Sequence, residues 1–400
     1  MKALFLTNEY PPHVYGGAGI HVEYLSRELS RLMEMDVRCF GTQRARSPRL
    51  RVTGFPVLRE IYAGCPSLLK SPLQSFERCV RFAARDTDAD IVHCHTWYTH
   101  LGGILIKNCY GIPLVITTHS LEPLRPWKRE QLGRGYDMSS WVEKQALESA
   151  DALIAVSGSM KQDLLRLFDV ESRRIHVIHN GIDPDEFRKC DPSPVIRRYG
   201  IRSPNVLFVG RITRQKGIRH LLNAIPSIDP RLQIVLCASS PDTPEIARET
   251  RAAIQKMNRG RNNIVWINEM VDKKTLIQLY SASTVFCCPS IYEPFGIINL
   301  EAMSCEVPVV ASAVGGICEV VQPGKTGLLV KMAQHKTSPF EPVNPAGFSR
   351  DLASAINRVA LTPGLAVRMG KAGRARVLDH FSWAAIAKRT HSLYHDLLRR

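Results

Sequence analysis

Glu293-Pro-Phe-Gly-Ile-Ile-Asn-Leu-Glu301 is the stretch on which the reading of this chain turns: two carboxylates, with seven residues between them, bracket a glycine turn that leads into a helix. The preceding Val285-Phe-Cys-Cys288 reads as a buried strand and Pro289 to Pro294 as a loop. Ile297 to Cys305 reads as a helix carrying apolar Ile297, Leu300, Ala302 and Met303. Free backbone N–H groups at such a helix start favour a phosphate by roughly 0.3–2 kcal/mol, and Gly296 lets a ligand approach closely. Glu301, about two turns further on, is placed to accept hydrogen bonds from hydroxyl groups. The stretch therefore points to a phosphorylated, hydroxyl-rich ligand.

Two acids so placed are a poor pair for cleaving a glycosidic bond, which needs carboxyl groups about 5–5.5 Å apart for retention or about 6.5–9.5 Å for inversion. Eight helical residues rise by about 12 Å, so the acids would stand at opposite ends of a ligand. Taken alone, the pair also admits a plainer reading, with Glu293 a loop acid and Glu301 a helix-surface charge. Asn205-Val-Leu-Phe-Val-Gly210 adds a second signal, an apolar strand followed by Arg211-Ile-Thr-Arg-Gln-Lys-Gly217. Arg211 offers a planar fork to phosphate oxygens and Lys216 a compact point charge, the two complementary ways of holding a diphosphate. Each such charged bond contributes about 1.5–3 kcal/mol. A solvated basic turn is the alternative for an isolated cluster of this kind.

At the amino terminus, Lys2-Ala-Leu-Phe-Leu-Thr7 reads as a parallel-type strand and Asn8 to Gly19 as a loop containing Gly16, Gly17 and Gly19. A helix is expected from about Ile20 to Met33, with Leu25, Leu29 and Leu32 on one buried stripe. The glycine spacing is not Gly-x-Gly-x-x-Gly, so it matches a dinucleotide fingerprint only loosely. It does sit after the first strand of an α/β series, where ligands approach the carboxyl ends of the strands.

Strand-helix alternation runs through 90–93, 114–117, 152–156 and 175–178, then restarts at 206–209, 233–237, 263–267, 285–288 and 309–311. Turn formers from Asn180-Gly-Ile-Asp-Pro184 to Pro192-Ser-Pro194 read as the linker between the two halves. The fold class expected is α/β, two Rossmann-like domains facing each other across a ligand-binding cleft. The expected boundaries are 1–185 for an acceptor-side domain and 195–375 for a nucleotide-sugar domain, with 376–400 a helix that crosses back to the first.

A chain of 400 residues carries a prior of two to three domains. At that length about 75% of the unfolded surface is buried, enough for a core without staples. Eleven cysteines without a Cys-x-x-Cys pair indicate neither a zinc site nor a disulfide framework, and a reducing cytoplasm fits best. The apolar run after Lys2 is too short for a signal peptide and none approaches 18 residues, so stable membrane insertion is not expected. Formal charge is +16, which calls for an anionic partner. The basic residues are dispersed and accompany no nucleic-acid motif, so nucleic acid is not that partner. From Val367 to Arg400 eight basic residues face two acidic ones, a tail that reads as a solvated helix face or a contact with anionic lipid.

Tyr10-Pro-Pro12 with Gly16-Gly17, Arg211-x4-Lys216 and Glu293-x7-Glu301, in that order, resemble the retaining two-domain (GT-B) glycosyltransferases along nearly the whole chain. His95-Thr-Trp-Tyr98, Thr118 to Lys128 and Ala238 to Glu245 look like the actinobacterial glycogen synthase and α-maltose-1-phosphate synthase subgroup. The resemblance implies that Arg211 and Lys216 neutralise the diphosphate, that Glu301 holds the ribose and that Glu293 lies against the donor glucose. It places the amides after Gly296, those of Ile297 and Ile298, on the sugar hydroxyls or phosphates, packs Gly17 under the diphosphate, counts Gly16 and Gly296 among the residues that bind the nucleotide sugar, and has His119 hydrogen-bond the donor sugar with its backbone carbonyl near the reacting carbon. It implies transfer with retention from a nucleotide sugar, ADP-glucose above all, to an α-glucan or to glucose-1-phosphate.

The implied mechanism is front-face displacement, with the leaving diphosphate helping to deprotonate the acceptor hydroxyl. Two cations on the diphosphate make a metal unnecessary, and no cofactor is expected. Related glucan synthases commonly carry His-Asp-Trp-His where this chain has His95-Thr-Trp-Tyr98, so an acceptor-side carboxylate is missing. Arg125, Lys128, Arg129 and Arg134 would suit a phosphorylated acceptor, or form a solvated loop. Two alternatives remain, a transferase using a UDP or GDP sugar with a lipid or small acceptor, and a non-catalytic polyanion binder.

Overall fold

Runs such as Ala3-Leu-Phe-Leu6 and Val206-Leu-Phe208 carry no polar alternation, and strands of this kind are stable only inside a sheet covered on both faces. The computed structural model, which describes residues 1–14, 16–239, 241–336 and 340–399, places them there. Tyr15 of the glycine loop, Ser240 of the 238–245 stretch and Arg400 of the basic tail lie outside the described residues.

Among the described residues, the first sheet holds β1 (Lys2–Thr7), β2 (Glu34–Phe40), β3 (Arg44–Ser47), β4 (Leu50–Phe55), β5 (Ile91–His95), β6 (Leu114–Thr118), β7 (Ala152–Ala155) and β8 (Ile175–Val177). Their order across the sheet is β3-β4-β2-β1-β5-β6-β7-β8, parallel except for the β3–β4 hairpin. The second sheet holds β9 (Asn205–Arg211), β10 (Gln233–Ser239), β11 (Ile264–Ile267), β12 (Val285–Cys288), β13 (Val309–Ser312) and β14 (Gly327–Val330). It is ordered β11-β10-β9-β12-β13-β14 and is parallel throughout. Each sheet is thus built outward from an interior first strand, with a switch point at β1/β5 in one and at β9/β12 in the other. Ligands of open parallel sheets bind at the carboxyl ends of the strands beside such a switch.

The chain divides into one unit of Met1–Gly181 with Trp383–Arg400 and another of Ile182–Ser382. The return to the first unit therefore begins at Trp383 rather than at 376, and the helix Leu365–His380 belongs with the second unit. In the closing helix Trp383–Leu398, Ile386, Leu393 and Tyr394 are buried against the first helix, Gly17–Leu29. Tyr394 also shares a hydrogen bond with His93 Nδ1 at 2.5 Å, and His93 Nε2 lies 2.7 Å from Thr117 Oγ1.

Three expectations are corrected. The first helix begins at Gly17 and ends at Leu29, so Leu25 and Leu29 are buried but Leu32, past the helix end, is 39% exposed. Strands β2, β3, β4 and β14 were not foreseen. Basic residues of the tail are held by carbonyl oxygens: Arg374 donates to Pro184, Phe187 and Ser304, Arg376 to Glu319 and Val320, and Arg389 to Val177. That leaves fewer cations for a lipid surface than the bare count offers. All eleven cysteines are free, and no described helix is long and apolar enough to cross a membrane.

Tyr394→Phe would leave His93 Nδ1 without its partner inside the first unit. The expected cost is about 1–3 kcal/mol, or about 2–12 °C in melting temperature for a unit of this size. Differential scanning calorimetry checks it, and an unchanged first-unit transition would contradict this account.

Candidate active site

In the second unit the site is assembled by two loops at the switch point. After β9 the chain turns through Thr213–Gly217, with Thr213 Oγ1 accepting from Lys216 N at 3.2 Å and Gly217 in the left-handed region at φ 64°. A Cβ on Gly217 would lie 1.9 Å from the carbonyl oxygen of Pro289, and Ile291 N donates to Gln215 O at 2.9 Å. Only glycine permits that approach, which locks the turn after β9 against the loop after β12.

Contact between the loops brings Lys216 onto Glu293. Lys216 Nζ donates to Glu293 Oε2 at 2.7 Å, and Ser290 Oγ donates to the same oxygen at 3.2 Å. The backbone of Glu293 is fixed from behind, where its carbonyl accepts from Gly316 N at 3.0 Å. A Cβ on Gly315 would sit 2.1 Å from that carbonyl oxygen. The cation expected on a diphosphate and the acid expected on a sugar thus neutralise each other.

Arg211, the last residue of β9, is not drawn into this pair. Its half-exposed guanidinium donates to Asp242 Oδ1 at 2.6 Å, an acid that the sequence reading passed over. Asp242 holds the fork in place and lowers its net charge, so a phosphate would have to share Arg211 with a carboxylate.

Gly296, at φ 92°, is the N-cap of the helix Ile297–Ser304 and makes no side-chain capping bond. The first backbone N–H groups of a helix, here those of Ile297 and Ile298, have no intrahelical partner and remain available to an anion or hydroxyl. Asn299 on the same turn is fully buried, with neither Oδ1 nor Nδ2 hydrogen-bonded; a Cβ on Gly296 would lie 2.5 Å from Nδ2. Its only signal in the sequence is a polar residue inside an apolar helix.

Both acids of the pair are buried, Glu293 at 7% and Glu301 at 4% exposure, which removes the surface-charge reading. Glu301 accepts from Tyr280 Oη at 2.8 Å. Burial pushes its carboxyl up to about 7, against the opposing pull of the Tyr280 bond, Lys216 and Lys273.

In the first unit, Gly16 is the N-cap of the first helix, donates from its N–H to Glu9 Oε2 at 2.9 Å, and has open space where a Cβ would stand. No packing among the described residues demands glycine there, whereas a ligand close to the backbone would. Gly17 is the first residue of that helix. His119 follows β6 and is half-buried, with Nε2 3.2 Å from Nδ1 of His95 at the end of β5.

His21, on the buried face of the first helix, meets both rings, at centroid distances of 4.7 Å to His119 and 5.3 Å to His95. Burial lowers all three, His21 to about 4 and His95 and His119 well below their ordinary value, so the imidazoles are neutral. Thr96, between β5 and the next helix, is held at φ 69° and donates from Oγ1 to Asn8 Oδ1 at 2.8 Å. A β-branched residue in that region stores about 1–3 kcal/mol of strain, a mark of a site that fixes its backbone.

The cations proposed around 125–134 divide. Lys128 is buried against Glu122 Oε1 at 3.1 Å, and Glu122 also accepts from Ser139, so this lysine holds an internal acid. Arg129 is paired with Asp137, which leaves Arg125 and the exposed Arg134 as candidates for an external anion.

The model of Glycosyltransferase Family 4 matches residues 15–186 and that of Glycosyl transferases group 1 matches residues 198–338. The chain belongs to the glycosyltransferases of the two-domain GT-B fold and is an enzyme that transfers a sugar. It is 45% identical to the α-maltose-1-phosphate synthase of Mycolicibacterium smegmatis over 400 residues, 98% of this chain and 99% of that one. The enzyme of the same description from Mycobacterium tuberculosis is 44% identical over the same shares. The solved sucrose-phosphate synthase of Thermosynechococcus elongatus superposes with a TM-score of 0.78 at 27% identity, covering 100% of both chains.

Glu301 carries a testable sign. Its folded value of about 7 lies above the ordinary 4.5, so its ionisation opposes folding. The penalty is absent below pH 4.5, grows as pH rises, and is complete above pH 7, amounting to about 1–3 kcal/mol. Glu301→Gln is therefore expected to melt higher than the parent at pH 8 and close to it at pH 5. A lower melting temperature at pH 8 would show that the carboxylate is stabilised rather than strained.

Proposed function

We propose that this chain is a retaining α-glucosyltransferase that carries glucose from ADP-glucose to glucose-1-phosphate, forming α-maltose-1-phosphate. Extension of an α-1,4-glucan is the second acceptor reaction. The observation that carries this reading is the similarity, over almost the entire length, to two proteins described as α-maltose-1-phosphate synthases. The site in the second unit supports it physically. A cation already poised on an acid can be recruited by an arriving diphosphate, which frees the Glu293 carboxylate to accept hydroxyl bonds from glucose.

In the reaction, the bond from glucose C1 to the diphosphate oxygen breaks and a bond from C1 to the acceptor hydroxyl oxygen forms on the same face. The acceptor proton passes to the departing diphosphate. Charge accumulates on that leaving group, and Arg211, Lys216 and the amides of Gly296, Ile297 and Ile298 are the groups that stabilise it. Glu301 accepts from ribose hydroxyls, Gly16 and Gly17 allow the diphosphate close to the backbone, and His119 hydrogen-bonds the donor sugar. With two cations in place the reaction needs no metal ion.

The test is nucleoside diphosphate release by the purified protein, offered ADP-glucose or UDP-glucose with glucose-1-phosphate or glycogen. Faster ADP release with glucose-1-phosphate is expected. Faster release with glycogen makes chain extension the main reaction, and no release with any pair removes the proposal. Lys216→Ala should lose roughly 10²–10³-fold in turnover. It should stay folded with a modestly lower melting temperature, since Ser290 still donates to Glu293. Turnover within twofold of the parent would refute the assignment of Lys216. EDTA should leave the initial rate undiminished, and strict dependence on added magnesium or manganese would contradict the metal-independent mechanism.

A further inference from the structure

Three imidazoles stand together where the first unit's switch point opens, and their arrangement does more than pack. One ring nitrogen each from His21, His95 and His119 lies within 4.8 Å of the other two. The His95–His119 pair is at 3.2 Å. Donors on a tetrahedral zinc ion with Zn–N bonds of about 2.0–2.1 Å stand about 3.3–3.4 Å apart, so that pair already has ligand spacing. The third nitrogen needs a closure of up to about 1.5 Å, within reach of small rotations of the imidazole rings.

A second observation is independent of the spacing. His21 Nδ1 lies 2.7 Å from Asn180 Oδ1, an acceptor, so Nδ1 carries the proton and Nε2 keeps a lone pair. That Nε2 is buried and makes no hydrogen bond. Leaving such a group unmatched costs about 1–3 kcal/mol. An amide oxygen holding the outer nitrogen of a histidine whose inner nitrogen is free is also how metal-bound imidazoles are oriented.

We propose that His21, His95 and His119 form a binding site for a divalent cation of zinc-like softness, oriented by Asn180, and that its occupation inhibits the enzyme. Three neutral nitrogen donors with no carboxylate select zinc, cobalt or nickel over magnesium and calcium, which take oxygen ligands. The bound ion takes the lone pair of His119, which then no longer serves the donor sugar. The binding half of this inference stands on geometry alone, and the inhibitory half rests on the function proposed above.

The test titrates the full-length, tag-free protein with cobalt(II). Visible ligand-field absorption of a four-coordinate nitrogen site is expected at one equivalent, displaced by zinc(II). X-ray absorption at the zinc edge of the unaltered protein is expected to count three imidazoles. His21→Gln should abolish the cobalt signal, and Asn180→Ala should weaken binding by roughly 10–100-fold.

His391 and His395, whose rings lie 4.6 Å apart on the closing helix, are the competing site, so His391→Ala must retain the signal. A signal lost in His391→Ala and kept in His21→Gln, or fewer than three imidazoles at the zinc edge, overturns the site. Zinc should slow nucleoside diphosphate release and EDTA restore it, with magnesium without effect. Binding without inhibition overturns the inhibitory half and the sugar-binding role of His119, and leaves the metal site standing.

Discussion

In both sheets the first strand of the series ends up in the interior, and the chain builds outward on one side before crossing to the other. That reversal parts the loops that follow β1 and β5, and likewise β9 and β12, so that each pair opens a crevice on the carboxyl edge of its sheet. Everything assigned to the site hangs on those two seams. In the second unit the seam is closed to van der Waals limits by Gly217 under Pro289, and Gly315, after β13, approaches the Glu293 carbonyl as closely from behind. In the first it is tied by Thr96 to Asn8. The second seam depends on backbone approaches that a single Cβ would prevent, the first on a side-chain hydrogen bond from a threonine held at positive φ.

The charges at the second seam are arranged to be reusable. A lysine and a glutamate facing each other below the surface are far less costly than either alone, because each supplies the counter-charge that water no longer provides. Such a pair satisfies both charges within the fold, and in the proposed reaction each partner exchanges: the lysine for phosphate oxygens, the carboxylate for hydroxyls. Glu301 has no ion-pair partner among the described residues; it accepts from Tyr280, and burial pushes its carboxyl up to about 7 against that bond and the pull of Lys216 and Lys273. The unequal treatment of two acids eight positions apart shows why their spacing alone could not assign their roles.

Much of this was legible in the residues. Strands β1, β5, β6, β7, β9, β10, β12 and β13 are apolar runs, and a doubly covered parallel sheet leaves little other use for them. Glu293, Glu301, Lys216 and Gly296 were readable because strand, glycine and charge follow one another within a few positions. What was not legible has a common cause, polarity that burial conceals. Strand β2 carries Asp36 and Arg38, which argue for a surface, yet Arg38 is 1% exposed and donates to the carbonyls of Phe82, Arg85 and Asp86. Asp242, Tyr280 and His21 lie far along the chain from the residues they serve. Leu32 continued the helical period past the point where the helix had ended.

The net charge of +16 first called for an anionic partner, and the fold weakens that demand. Arg261 donates to the carbonyls of Ile225, Ile228, Asp229 and Leu232, and Arg174 to those of Glu148 and Ala150. Arg38, Arg374, Arg376 and Arg389 behave likewise. A guanidinium has five donors and no acceptor, so it can satisfy several orphan carbonyls where helices and strands end, each bond contributing about 1.5–3 kcal/mol. Arginines used in this way add to the formal charge without presenting it to a partner. A count of basic residues therefore overstates the surface available to nucleic acid or lipid. The cations assigned to a ligand in the proposed reaction, Arg211 at the end of β9 and Lys216 in the loop after it, are distinguished by position rather than by number.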